Sequence, residues 1–101
     1  MSRKNLKKML EREIKVINPL GLHARAAAQL VRLANSFKSN IVLERRDNAV
    51  FANAKSILSV LTLAASMGTE LNLKVTGEDE FDALNAVEEL FRTGFGEIAV
   101  S

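Results

Sequence analysis

Apolar residues change their spacing several times along this chain, and that ordered change most restricts how it can fold. Residues 13–17 (Glu-Ile-Lys-Val-Ile) alternate, the two-residue period of a half-buried strand. From Ala27 the apolar residues recur at helical spacing through Leu30, Val31 and Ala34, with Gln29, Arg32 and Asn35 on other faces. This predicts a helix of about 12 residues ending near Ser36. Residues 40–45 and 49–53 read as two strands joined by the tight turn Arg46-Asp47-Asn48, an antiparallel hairpin. A short apolar stretch, 55–63, reads as a helix with Ser56 as its N-cap. Leu71, Leu73 and Val75 alternate in a fourth strand over 70–76. Glu78, Asp79 and Glu80 suit the start of a last helix. That helix carries Phe81, Leu84, Val87 and Phe91 inward and stops at Gly94.

The order β-α-β-β-α-β-α in 101 residues leaves room for one core. A four-stranded antiparallel sheet with three helices on one face, an α+β open-faced sandwich, buries each apolar stripe once. The opposite sheet face then meets water, which fits polar Glu13, Lys15, Asn72 and Lys74 alternating with apolar neighbours.

The segment Gly21-Leu22-His23-Ala24-Arg25-Ala26-Ala27-Ala28 places the only histidine between a turn, Asn18-Pro19-Leu20-Gly21, and a helix start. A helix start has unpaired N–H groups and the positive dipole end, so it attracts phosphate. Imidazole is a nucleophile near neutral pH, and Arg25 adds a charged, planar fork suited to phosphate. The same positive end disfavours a charged ring at His23. Together these residues describe a site that carries a phosphoryl group on nitrogen.

Other chemistries find little support. There is no cysteine, which excludes disulfides and thiol chemistry and fits a cytoplasmic location. One histidine without cysteine gives no expectation of a metal, and no cofactor is expected. No nucleotide loop is present, so the chain is not expected to use ATP itself. No apolar run approaches the roughly 20 residues of a membrane-spanning helix. Arg3, Lys4, Lys7 and Lys8 precede the first acid, Glu11, whereas the remainder has 10 basic against 12 acidic side chains. The basic character therefore sits in the leader, read as a solvated extension. Tyr and Trp are absent and the five Phe are scattered, so no base-stacking surface for nucleic acid is expected.

Residues 12–94 resemble the histidine-containing phosphocarrier (HPr) family of the bacterial phosphoenolpyruvate:sugar phosphotransferase system and its nitrogen-related paralogue. Gly21-Leu22-His23-Ala24-Arg25 is similar to the family's phosphohistidine loop, Ala27-Ala28-Gln29-Leu30-Val31 to its continuation, and Asn53-Ala54-Lys55-Ser56-Ile57 to the segment around a regulatory serine. The resemblance implies a basic extension over 1–11, an HPr-like domain over 12–96 and a tail over 97–101. It implies phosphorylation of His23 on Nδ1, with Arg25 pairing the phosphate. Ser56 corresponds to the site that an ATP-dependent HPr kinase modifies in many, not all, bacteria. Ala24, Arg25, Ala28, Arg32, Ile57 and Leu58 match docking positions, although one of Ile57 and Leu58 is expected in the core. The implied partners are Enzyme I as donor and Enzyme IIA domains as acceptors, the carrier itself being a cytoplasmic monomer that is no independent enzyme. The chain departs from the family pattern at Ala26, usually proline, and at Ser59, often glycine or lysine. Alanine restores an N–H at the helix start. The competing readings are a regulatory interaction module phosphorylated at Ser56 without a transfer role, which is at odds with the presence of His23, and a small nucleic-acid binder using the leader.

Overall fold

The computed structural model describes residues 9–97. The basic leader residues Arg3 to Lys8 lie outside that range. Four strands and three helices follow in the order β1 (Leu10–Lys15), α1 (Ala24–Ala34), β2 (Asn40–Arg45), β3 (Val50–Asn53), α2 (Ile57–Leu61), β4 (Glu70–Thr76) and α3 (Glu80–Arg92), closed by a 3₁₀ turn at Gly94–Gly96. The sheet is antiparallel with strand order β1-β4-β2-β3, so the last strand in sequence lies at the centre. Leu73 of β4 faces Arg12 on one side and Leu43 on the other. The helices cover the face carrying Ile14, Ile41, Leu43, Leu71, Leu73 and Val75, and Leu30, Val60, Leu84, Val87 and Phe91 close the core over it. The open α+β sandwich expected from periodicity is the fold observed.

Two strands match the predicted ranges, and the other boundaries move by a few residues because end residues lack ladder or helix partners. β1 begins at Leu10, opposite Val75, earlier than its alternation predicts and inside the segment expected to be an extension. The short helix contracts to Ile57–Leu61, and Ser56 caps it as expected, its Oγ accepting the Ser59 N–H at 3.3 Å. The outer sheet face meets solvent at Glu13 and Lys15, while Lys74 is half-buried by Glu44, 2.9 Å away, and the ring of Phe51.

Two apolar expectations fail. Phe81 is 64% exposed instead of inward, and Ala83 takes its place beside Leu84, Val87 and Phe91. At about 100° per residue, Phe81 points roughly 100° away from the centre of that stripe. Neither Ile57 (39% exposed) nor Leu58 (73%) enters the core, which receives Val60 and Leu63 from this region. A helix this short has only one turn to bury.

Two connections hold the layers in place. Asp79 does not cap its own helix; it reaches across to the α1–β2 loop, accepting the N–H groups of Lys38 and Ser39 at 2.9 Å each and the Ser39 hydroxyl at 2.6 Å. The Ser39 hydroxyl and these amides hold its carboxyl down at about 2. Glu80 instead turns back onto the Gly77 N–H, at 2.9 Å. At the opposite end of the molecule, Leu22 donates its N–H to the Ala65 carbonyl at 2.8 Å, joining the loop before α1 to the loop after α2. The close approach requires glycine at position 21, where φ is +71° and a Cβ would lie 2.6 Å from the Ala65 carbonyl oxygen.

A carboxyl depressed below its ordinary 3.8 stabilises the fold fully above that value, and the contribution disappears as pH falls towards about 2. The urea midpoint of the wild-type chain is therefore expected to fall more steeply between pH 5 and pH 2 than that of Asp79→Asn; parallel curves would contradict this. Gly21→Ala is expected to lose about 1–3 kcal/mol in urea denaturation, because neither the positive φ nor the backbone clash can relax.

Candidate functional site

α1 begins where a turn delivers His23 in extended conformation (φ −78°, ψ −177°) to the N-cap position. The first intrahelical bond runs from the Ala27 N–H to the His23 carbonyl at 2.8 Å. The N–H groups of Ala24, Arg25 and Ala26 thus precede the helical ladder. Arg25 N–H points at Nδ1 of His23, 3.2 Å away. A ring nitrogen facing an N–H donor must offer its lone pair. Nδ1 is therefore the basic atom, aimed at the helix start, and the imidazole keeps a quarter of its side-chain surface exposed. The Arg25 side chain is 70% exposed.

The other ring nitrogen meets a residue that no sequence signal announces. Nε2 lies 2.5 Å from Oε2 of Glu97, 74 positions away in sequence. Glu97 was expected to begin a tail. It reaches the ring because α3 ends in three consecutive residues of positive φ: Gly94 (62°), Phe95 (57°) and Gly96 (73°). Two of them are glycines, for which this region is open; Phe95 is not, and its strain is offset by burial edge-on against Phe91, centroids 5.0 Å apart. The second Glu97 oxygen accepts from Asn18 Nδ2 at 2.9 Å, and the same amide donates to the Gly21 carbonyl at 2.8 Å. Asn18 is fully buried, so the turn before His23 and the reversal after α3 share one side chain. Hydrogen bonds from Asn18 and then from His23 hold the Glu97 carboxyl below the usual carboxylate range.

The remaining sequence-predicted residues fall into two groups. Ala24, Arg25, Ala28 and Arg32 form one stripe along α1, opposite buried Ala26, Ala27, Leu30 and Ala34. Ile57, Leu58 and Leu61 are exposed on α2, as are Ile17 and Leu20 before His23 and Met67 in the loop after α2. Ser56 is not brought to His23. Asn35, the C-cap of α1, donates to the Lys55 carbonyl at 3.2 Å, so Ser56 lies near the far end of α1 from its N-cap. An 11-residue helix separates the two ends by roughly 16 Å. Among the described residues no helix is long and apolar enough to cross a membrane.

Comparison with known proteins gives the family and the fold. The family described as "PTS HPr component phosphorylation site" matches residues 10–93. A phosphocarrier protein HPr from Xylella fastidiosa (strain Temecula1 / ATCC 700964) is 49% identical over 89 residues, covering 88% of this chain and 98% of the relative. One from Treponema pallidum (strain Nichols) is 45% identical over 88% of this chain and 99% of its own length. The crystal structure of HPr-C-His from Thermoanaerobacter tengcongensis superposes with a TM-score of 0.82 at 38% identity, covering 89% of this chain and 99% of that one. A structure from that organism described as an HPr dimer matches with a TM-score of 0.69. The chain belongs to the HPr family, the phosphocarrier proteins of the phosphotransferase system.

Proposed function

We propose that His23 is the residue that carries the phosphoryl group, accepting it on Nδ1 from phosphorylated Enzyme I and surrendering it to Enzyme IIA domains. The observation that carries this reading is the aim of Nδ1 at the start of α1, against the Arg25 N–H. A phosphoryl group on that nitrogen sits over amides that have no helical partner, including the N–H of Ala26 that the family's usual proline lacks. Arg25 adds charge-assisted hydrogen bonds from the exposed side. An exposed charge at a helix end is stabilised by roughly 0.3–1 kcal/mol, too little to trap the group, which suits a carrier. The protein acts as a phosphoryl-transfer intermediate without catalysis of its own, in the cytoplasm and as a monomer that presents one face to successive partners. Ala24, Ala28 and Arg32 along α1, with Ile57 and Leu58 on α2, are the docking positions of that face. The readings as a purely regulatory module and as a nucleic-acid binder are not favoured for a member of this family that retains the histidine.

Ser56 is the proposed regulatory position, a substrate for an HPr kinase where one is present. Its distance from His23 means that a phosphate there works on docking and not on the imidazole. It adds about two negative charges beside exposed Ile57 and Leu58, repelling a partner with acidic groups around its own site.

Incubation with phosphoenolpyruvate and Enzyme I is expected to give an acid-labile, base-stable phosphate that is absent from His23→Ala. Label persisting in that variant would remove His23 from the reaction. Ser56→Asp is expected to accept the group more slowly than the wild type, with the His23 ring resonances unchanged. Equal transfer rates would exclude the electrostatic account of Ser56.

A further inference from the structure

Phe81 is the one large apolar side chain of α3 left exposed, and its surroundings point to what covers it. Phe81 and Glu88 fall within about 20° of each other around the helix, on one flank. Glu88 binds Arg12 of β1 at 2.6 Å, so this flank faces the edge strand β1. Further along both elements, Ile14 and Ile17 share a groove with Phe91 and Arg92, so β1 and α3 run in the same direction. Phe81 lies roughly 10 Å nearer the start of α3 than Glu88 does. Going back along β1 from Arg12 at about 3.4 Å per residue, the chain draws level with Phe81 near Met9, where the basic leader joins.

The charges around Phe81 have one sign. Glu78, Asp79, Glu80 and Asp82 place four carboxylates on the turn into α3. Asp79 and Glu80 are engaged by backbone N–H groups, whereas Glu78 and Asp82 are exposed. Among the described residues, Lys38 at 3.7 Å from Glu78 is the only cation within 4 Å of these carboxylates. Residues 1–8 carry Arg3, Lys4, Lys7 and Lys8 with no acid, and Leu6 among them. We propose that the flank of α3 at Phe81 is the docking site of the chain's own basic leader, with Leu6 over the ring and the leader's cations against Glu78 and Asp82.

Three observations select this occupant. The leader is covalently present: Leu6 is three residues from Met9, a reach of about 10 Å, and such a tether holds it near the flank at about millimolar effective concentration. Its charge is complementary, and Coulomb attraction between exposed groups is effective within a Debye length of about 8–10 Å. The contact also continues a seam that Arg12 and Glu88 begin, between α3 and the start of an edge strand whose outer side has no strand partner. An aromatic ring beside lysines adds a cation–π attraction that a smaller apolar residue does not offer. The leader's charge is then balanced within the molecule and not offered to nucleic acid or to an anionic lipid surface. This docking is independent of the reading of His23 as the carrier residue.

The test uses the full chain. Trypsin cleavage after Lys7 and Lys8 is followed in the wild type, in Phe81→Ser and in the double variant Glu78→Gln/Asp82→Asn. All three substituted positions are exposed, and the resonances of buried Phe91 and Phe95 report that each variant keeps its fold. Both variants are expected to be cut about 5-fold faster than the wild type, the factor that corresponds to about 1 kcal/mol of docking. The wild type is expected to show nuclear Overhauser contacts between the Leu6 methyls and the Phe81 ring, and the double variant to weaken them. A mixture of isotope-labelled and unlabelled chains separates the sources: contacts within one chain support the proposal, and contacts that cross between chains overturn it in favour of a second copy. Equal cleavage in all three proteins without a Leu6–Phe81 contact overturns it as well, and leaves the flank to a basic segment of another protein.

Discussion

The architecture depends on β4 lying between β1 and β2. Its backbone groups pair on both sides, and Leu71, Leu73 and Val75 on its inner face are fully buried. A strand so placed cannot be assembled from local contacts alone: β1 and β2 wait for a segment about 30 to 60 residues later in the chain, at the entropic cost of closing those loops. Once the strand is seated, the three helices have one surface to cover. The start of α1 and the end of α3 then open at the same edge, and the site forms there.

The site is an intersection of three segments. The turn carrying Asn18 and Gly21 sets His23 at a helix start, the loop after α2 holds that turn through Ala65, and the reversal after α3 sends Glu97 back to the ring. Each connection uses an interaction a water molecule cannot easily replace: a buried amide, a backbone approach that excludes a Cβ, and a strained phenylalanine wedged into the core. A carrier has no substrate cavity to shape its chemistry. Carriage on His23, as proposed, needs an exposed nitrogen whose lone pair points the right way, and the packing around the ring fits that need.

Much of this arrangement is legible in the residues. Alternation in 70–76 and helical spacing in 27–34 report which face is buried, because strands and helices expose opposite faces at fixed periods. The capping role of Ser56 is legible for a similar reason, since a hydroxyl at a helix start has a nearby N–H to accept. Where the reading fails, the cause is a choice that local pattern leaves open. Phe81 fits an apolar stripe by type but falls on its margin, where small Ala83 packs closer. Ile57 and Leu58 look like core, but a five-residue helix spends its single buried turn on Val60. Asp79 fits a helix-start residue by type, yet three donors from the α1–β2 loop offer its carboxylate a better set of partners.

By itself the sequence determined the succession of strands and helices, the seating of the one histidine at a helix start, and Arg25 beside it, because backbone periodicity and N-cap geometry are set by neighbours within a turn or two. Only the tertiary structure decided which ring nitrogen faces which partner. That depends on Glu97, 74 residues distant, carried to Nε2 by a left-handed reversal and held there by a buried amide, and no local spacing encodes where such a reversal ends.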